Sequence, residues 1–280
     1  MSRIAVIGLV GESVFLTVDK HQAVGETAHA TSIHREWGGK GYNQAVAAAR
    51  YGASVAFLGA ASTSDTEAIK RAAGEDNIRA YIAGKSDATA YGVIVTDAIG
   101  DNRVTVYGGA ALDARDVEEF AEEIADADIL LINNEVPEAV NVRAVEIARS
   151  AGTRVIYNPA PVRPICDYLL TNTDIFTPNE HEAAAVAEFK NCIVTLGSEG
   201  CLIKWLDEKF PAFALGEAVD TTGAGDTFNG VLAAAIAEGC DAVSASVNAS
   251  AAAALEVTRR FVIPAIPRRK EIEKIIEKDL

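Results

Sequence analysis

The sequence predicts an α/β fold in which a mostly parallel sheet lies between two helix layers and a small β-sheet stands apart from it. Three observations carry that reading. From Asp113 onward, short apolar strands alternate regularly with helical stretches, the pattern of parallel crossovers. Arg3-Ile-Ala-Val-Ile-Gly8 is a continuous apolar run ended by glycine, as in a strand covered on both faces. Two early regions, about 12–36 and 88–108, instead alternate polar and apolar residues and fit antiparallel strands with one wet face. One domain over residues 1–280 holds all of this, because neither an internal repeat nor a low-complexity linker divides the chain.

The elements follow in order. After the opening strand, Ser13–Val18 and Thr27–Arg35 are strands of the small sheet. Trp37-Gly-Gly-Lys-Gly-Tyr-Asn43 is a glycine-rich turn that opens a helix of small residues, which stops at Gly52, and Ser54–Leu58 is the next strand. Ala90–Val95 and Arg103–Tyr107, separated by Gly100-Asp101-Asn102, return to the small sheet. Then come a helix over 114–125, a strand over Ile129–Ile132, a helix over 137–151, and strands over Arg154–Tyr157 and Ile175–Thr177. A short helix starts at Asn179, and Cys192–Leu196 is a strand. Three helical stretches, Gly223–Gly239, Asp241–Val257 and Ile266–Lys278, close the chain. Ligands on a sheet of this kind bind beyond the carboxyl ends of its strands.

Composition excludes several function classes. Hydrophobic residues make up 49% and charged ones 23%, enough for a core and unlike a disordered chain. With 40 acidic against 25 basic side chains, the formal charge is −15, and there is no basic block of the kind that phosphate neutralisation along a nucleic acid requires. An anionic small ligand stays open, since a helix N-terminus, one Lys or a metal can hold it. The four cysteines, Cys166, Cys192, Cys201 and Cys240, lack CxxC or metal-like spacing and read as buried thiols in a reducing compartment. Ile4–Val10 is too short to span a membrane and lacks a signal-peptide cleavage pattern, so a soluble, cytoplasmic protein without membrane partners is expected.

The chemistry concentrates in Asp220-Thr-Thr-Gly-Ala-Gly-Asp-Thr-Phe-Asn-Gly230. Gly223, Ala224 and Gly225 can turn successive N–H groups into an anion nest at the start of a helix, where the dipole adds positive potential. Asp226 falls in that first turn, beside any phosphoryl group held there. A carboxylate so placed suits a general base that takes a hydroxyl proton while the nest takes the charge developing on the transferred phosphate.

This string and Gly38-Gly-Lys-Gly-Tyr-Asn-Gln-Ala-Val-Ala-Ala-Ala-Arg50 resemble the two signature motifs of the ribokinase-like (PfkB) carbohydrate kinases. Asn158-Pro-Ala-Pro161, Thr177-Pro-Asn-Glu-His-Glu182 and Val194-Thr-Leu-Gly-Ser-Glu-Gly200 lie between them in the order that ribokinases show. The resemblance covers essentially the whole chain. It implies a three-layer α/β/α sandwich with a β-sheet lid that transfers the γ-phosphoryl of ATP to a hydroxyl with Mg²⁺. Asp226 then matches the family's base, and Gly223, Ala224 and Gly225 its anion hole. Gly38, Gly39, Lys40 and Asn43 match positions of the sugar pocket, and Glu135 matches a carboxylate that contacts the sugar. Asn179 and Glu182 match an Asn-x-x-Glu element that positions Mg²⁺ through water. Thr195, Gly197 and Gly200 match the turn that cradles the nucleotide, with Gly225 and Ser250 as further nucleotide-binding candidates. The resemblance also implies a homodimer, as an open small sheet exposes edges and an apolar face.

Each assignment has a plainer structural alternative. Asn179 and Glu182 can form a capping box, Lys40 can be a solvated loop lysine, and Glu135 can face solvent after its strand. The chain also departs from the family pattern. Ser13 stands where ribokinases place an Asp that holds two sugar hydroxyls, and Gly11 stands where they place an Asn. Glu12 is adjacent but on a strand points to the opposite face. A site without that acceptor discriminates against a substrate that needs it, which leaves a nucleoside acceptor, or a catalytically silent sugar- or nucleotide-binding regulator, beside the sugar kinase. Of the monovalent-cation loop, Asp220 and Thr222 remain, while Phe261 and Ala265 replace a Gly and a Ser, so K⁺ dependence is open. Residues 183–191 barely suffice for a crossover, so the helix there is expected to be short or absent.

Overall fold

β1 (Arg3–Ile7) sends alternate residues in opposite directions: Ile4 and Val6 enter one apolar core, Ala5 and Ile7 another. In the computed structural model, which describes residues 2–279, this strand is the centre of the fold. The chain next leaves the main sheet through β2 (Gly11–Val18) and β3 (Ala30–Gly38) and returns as α1 (Lys40–Tyr51), β4 (Ser54–Ser62), α2 (Thr66–Glu75) and β5 (Arg79–Lys85). It leaves again as β6 (Ala90–Thr96) and β7 (Asn102–Tyr107). The second half runs α3 (Ala114–Glu118), α4 (Ala121–Ala125), β8 (Ile129–Asn133), α5 (Glu138–Ala151), β9 (Arg154–Asn158), α6 (Asp167–Thr171) and β10 (Ile175–Phe176). β11 (Ile193–Thr195), β12 (Cys201–Ile203), β13 (Glu208–Phe210), α7 (Ala224–Ala237), α8 (Ala242–Glu256) and α9 (Arg269–Asp279) complete it.

The main sheet is parallel, in the order β10-β9-β8-β1-β4-β5. The direction of winding reverses at β1, so a crevice opens beyond the carboxyl ends of β1 and β8. Residues of α1, α2, α7, α8 and α9 fill one core, and residues of α3 to α6 the other, which makes the three layers. Residues 114–125 form two short helices instead of one, because the backbone leaves the helical path at Phe120 (φ −104°, ψ 2°), whose fully buried ring anchors the segment under the sheet.

The small sheet has the order β3-β2-β6-β7 and is mixed. β2 pairs with β3, and β6 with β7, antiparallel, but β2 and β6 run parallel. This corrects the expectation of a wholly antiparallel sheet. Both strands leave the main sheet at the same end and in the same direction, so they meet side by side. Gly11 serves that meeting, since a methyl there would fall 2.6 Å from Ala90 O.

The segment expected as a main-sheet strand at Cys192–Leu196 belongs instead to a three-stranded antiparallel sheet, β11-β12-β13. Two parallel bridges, Phe176 to Cys192 and Asn179 to Thr195, attach it to the end of the main sheet. Between them the crossover is only a 3₁₀ turn at Glu182–Val186, as its length predicts. All four cysteines are free thiols. Among the described residues no helix is long and apolar enough to cross a membrane.

Candidate active site

Close packing of α1 on α7 sets the centre of the site. Gly230 lies so near α1 that a methyl there would meet Gln44 O and fall 2.7 Å from Ala47 Cβ. At the other side of α1, Gly41 crosses Gly8 at the end of β1, where a methyl on Gly8 would come 2.6 Å from Gly41 Cα. These contacts bring the first turns of both helices to the crevice. Asp226, 7% exposed, accepts hydrogen bonds from Asn43 Nδ2 at 2.9 Å and Gln44 Nε2 at 3.2 Å.

A polar network locks this pair. Gln44 Nε2 also reaches Asn158 Oδ1 at 3.3 Å, and Asn158 Nδ2 donates to Thr177 O at 2.9 Å. Thr177 Oγ1 donates to Asn229 Oδ1, whose amide donates to Gly225 O at 2.7 Å. The chain of bonds therefore returns to Gly225, the residue before Asp226. Gln44, Asn158, Thr177 and Asn229 were not singled out from the sequence, although each lies inside a quoted motif. Their importance comes from convergence of four distant segments, which spacing does not reveal.

A cavity of about 220 Å³ opens over this network, lined by Lys40, Asn179, Glu182, Thr195, Gly223, Gly225, Asp226 and Asn229 among others. Another, of about 310 Å³, contains Arg3 and Arg79 and lies at the opposite end of the strands, away from the crevice. Gly223 adopts φ 91° immediately before α7, the left-handed turn that lets successive N–H groups face one side. Burial raises the Asp226 pKa, while Lys40 and the amides of Asn43 and Gln44 pull it back down. Lys40, the first residue of α1, lines the cavity, and Asp226 is the chief stabiliser of its ammonium.

Glu135 follows β8 and accepts Lys40 N–H at 2.7 Å. Burial, with Asp226 adding to it, pushes its pKa up to about 7. Half-buried, it is tied by that bond to Lys40, which lines the cavity. Gly39, at φ 101°, leaves no room for a side chain beside Leu9. Ser13 stands against Gly38, where a methyl would come 2.8 Å from Ser13 Oγ and 3.8 Å from Asn43 Oδ1. Asn43 Oδ1 is buried and accepts no hydrogen bond among the described residues. Glu12 points away from this face and pairs with Arg35 at 2.8 Å, as strand alternation predicts.

Asn179 and Glu182 do form reciprocal bonds: Asn179 N–H and Nδ2 donate to the two Glu182 oxygens at 2.9 and 3.0 Å, and Glu182 N–H donates to Asn179 Oδ1 at 2.9 Å. The cap and the cavity wall are thus one structure. Thr195 lines the cavity, whereas Gly197 and Gly200 form the turn behind it at φ 56° and 96°. Ser250 is buried on α8 with Oγ 3.9 Å from Cys201 Sγ, and it does not line the cavity. Asp220 accepts Thr222 N–H at 3.0 Å through one oxygen. Ala265 is fully buried, and Phe261 packs against the small sheet. Two acids missed from sequence sit close by. Glu256 is 1% exposed, both of its oxygens lack hydrogen-bond partners among the described residues, and burial pushes its pKa up to about 9. Glu36 links the small sheet to the loop after α8.

Residues 1–269 match the pfkB family carbohydrate kinases. A ribokinase of Bacillus subtilis (strain 168) is 34% identical over 99% of this chain and 100% of its own. The structure of a ribokinase from Thermotoga maritima superposes with TM-score 0.88 at 30% identity, covering 99% of this chain and 100% of the other. That of an Arabidopsis thaliana ribokinase complexed with ribose and ATP gives TM-score 0.87 at 27% identity and covers 99% of each chain. With this match over nearly its whole length and a buried carboxylate held by two amides at the switch point, the chain belongs to the pfkB family of carbohydrate kinases and is an ATP-dependent phosphotransferase acting on an alcohol group.

Proposed function

We propose that the acceptor is a small sugar whose hydroxyl is deprotonated by Asp226 as the γ-phosphoryl of ATP arrives at the Gly223-Ala224-Gly225 nest. One observation carries this: Asp226 is held by Asn43 and Gln44 in the first turn of α7, directly beside the nest and Lys40. The amides orient the carboxylate, burial keeps water from competing for the proton, and the nest with Lys40 takes the charge that develops on the phosphoryl oxygens. The orphaned Asn43 Oδ1 is ready to accept a sugar hydroxyl, with Glu135 and Ser13 as further hydroxyl partners. Thr195 and the turn at Gly197 and Gly200 support the nucleotide.

The hard oxygen donors of this wall, Asn179 and Glu182, fit Mg²⁺ held through water, because both Glu182 oxygens already accept one hydrogen bond each. When bound, Mg²⁺ neutralises charge on the phosphate oxygens. Asp220 has one oxygen outside its turn bond and, with Thr222, would hold a monovalent cation, K⁺ by the family pattern. A homodimer through the lid completes the reading.

The test is ADP release with MgATP and a panel of pentoses, hexoses and nucleosides. Release with at least one sugar is expected, and Asp226→Asn should lower its kcat by roughly 10²–10⁴-fold, the usual worth of a general base, while ATP binding persists. Near-normal turnover in that variant removes Asp226 from the mechanism. A nucleoside acceptor is the second reading, favoured by the short Ser13 side chain, and turnover of nucleosides alone would establish it. Release with no acceptor would favour a silent regulator.

A further inference from the structure

The loop between α8 and α9 is gripped by the lid. Ser13, Phe15, His34 and Glu36 share one face of the small sheet, since Ser13 is paired with Glu36 and Phe15 with His34 across the strands. The Glu36 side chain is 7% exposed. Its Oε1 accepts Val262 N–H at 3.0 Å and Ile263 N–H at 3.4 Å, and its Oε2 meets His34 Nε2 at 2.9 Å. The His34 ring stacks on Phe261 with centroids 3.8 Å apart, and Phe15 meets the Phe261 ring edge-on at 5.3 Å. From the other side Arg50, near the end of α1, donates to Ile263 O and Ile266 O at 2.5 and 2.9 Å.

Between these two anchors sits Val262, 4% exposed. Its Cγ1 would lie 2.5 Å from a methyl placed on Gly223, so its side chain walls the turn that opens the anion nest. The loop is not in a relaxed conformation by itself: Phe261 has φ 66°, which a bulky residue adopts only when its surroundings impose it. The lid supplies those surroundings through the His34 ring and the Glu36 carboxylate.

We propose that Glu36 is a positioning residue for phosphoryl transfer, fixing Val262 against Gly223 when the lid is seated and so setting the geometry of the nest. Glu36 does not line the cavity over Asp226. Two charge-assisted bonds hold the Val262 and Ile263 N–H groups, and their loss leaves those donors to find new partners by moving the loop. Val262 then withdraws and the Gly223 turn loses its wall. The inference rests on the nest as the seat of the transferred group, and its test separates the two.

The probe is MgADP with and without aluminium fluoride, which mimics a phosphoryl group in flight, titrated calorimetrically. Kinetics with the best acceptor of the panel accompany it. In the unaltered protein, fluoride should tighten MgADP binding; no gain there overturns the nest reading and this proposal with it. Given that gain, Glu36→Ala should forfeit roughly tenfold of it, the worth of a charged hydrogen bond, and lower kcat comparably. Its affinity for MgADP alone and its KM for ATP should stay within about twofold, because a group acting only on the transition state leaves ground-state binding unchanged. Glu36→Gln, which keeps an acceptor oxygen, should recover most of the loss. In a Val262→Ala background Glu36→Ala should add little, as expected for two residues acting in one line. A full fluoride gain in Glu36→Ala, a parallel loss of MgADP binding, or additive effects with Val262→Ala would each overturn the assignment. If Glu36→Ala does not fold, His34→Ala, which strips the ring from Phe261, must show the same selective loss in smaller measure, and its absence overturns the proposal too.

Discussion

Asp226 and Glu135 are two buried carboxyls near one lysine, and their surroundings drive them to different work. Asp226 receives two amide donors and the Lys40 charge, all of which favour its ionised form against the cost of burial. Glu135 is driven the other way: burial first, and then the field of Asp226, raise its pKa to about 7, against the opposing pull of Lys40 and its one backbone N–H. Below pH 7 Glu135 is neutral, and above it becomes an acceptor-only carboxylate able to take a sugar hydroxyl. The KM for the acceptor should therefore fall as pH climbs from 6 to 8, by roughly tenfold, the worth of a hydrogen bond to a charged group. In Glu135→Gln that slope should be flat, since nothing titrates at the position. Initial rates at several acceptor concentrations across this range give the answer, and an unchanged slope in the variant would assign it to another group.

At the scale of elements, the site depends on how closely α1 and α7 approach. In an ordinary helix, Gly→Ala stabilises by about 0.5–1 kcal/mol. Gly230→Ala should do the reverse, because the new methyl meets Gln44 O and the Ala47 side chain, and overpacking of this sort costs roughly 1–3 kcal/mol. Gly74→Ala in α2, with no atom within 4 Å of the added methyl, is the control and should be stabilising. Thermal unfolding and kcat of both variants test this; Gly230→Ala should lose activity as well, since Gln44 moves with α1.

The same contact shows where sequence patterns stop. Lys40, Asn43 and Asp226 were legible because glycine-rich strings open both helices, and alternating strands and helices marked the sheet. Gln44 and Glu256 were not, because an unbroken run of buried small residues looks alike whether it packs on apolar atoms or on a carboxylate, and Glu36 was not because it sits in a polar, mostly exposed strand. β5 and α2 were also silent. β5 is an edge strand with only Ile82 buried, and α2 buries only Ile69 and Ala73, so neither leaves a strong period. The parallel pairing of β2 with β6 depends on where both strands leave the main sheet, which no local pattern records.

For the whole molecule, the lid is the part whose surface is unfinished. β7 is exposed at every residue, and Val104 and Val106 are 60% and 68% accessible. Register places Val104 beside Ile94 and Val106 beside Gly92, on the same face as Phe15 and Ser13. One side of the sheet thus carries an apolar strip from Phe15 through Ile94 and Val104 to an open edge, where unpaired N–H and C=O groups also await partners. Chains that stay monomeric usually blunt such an edge with charge or a bulge, yet of the six residues of β7 only Arg103 is charged. The proposed second copy of the lid would cover both features at once, and it would add rigidity to the sheet that carries Ser13 and Glu36. Light scattering at micromolar concentration should give twice the mass of 29.4 kDa. Val104→Lys with Val106→Lys, which buries two charges at the proposed contact, should shift the protein to a monomer, since an unpaired charge in an apolar interface costs several kcal/mol. Both substitutions lie on exposed positions, so the monomer should keep its thermal stability while its KM for the acceptor rises as the lid loses support. A monomer in the unaltered protein, or a dimer undisturbed by the two lysines, would place the interface elsewhere or remove it.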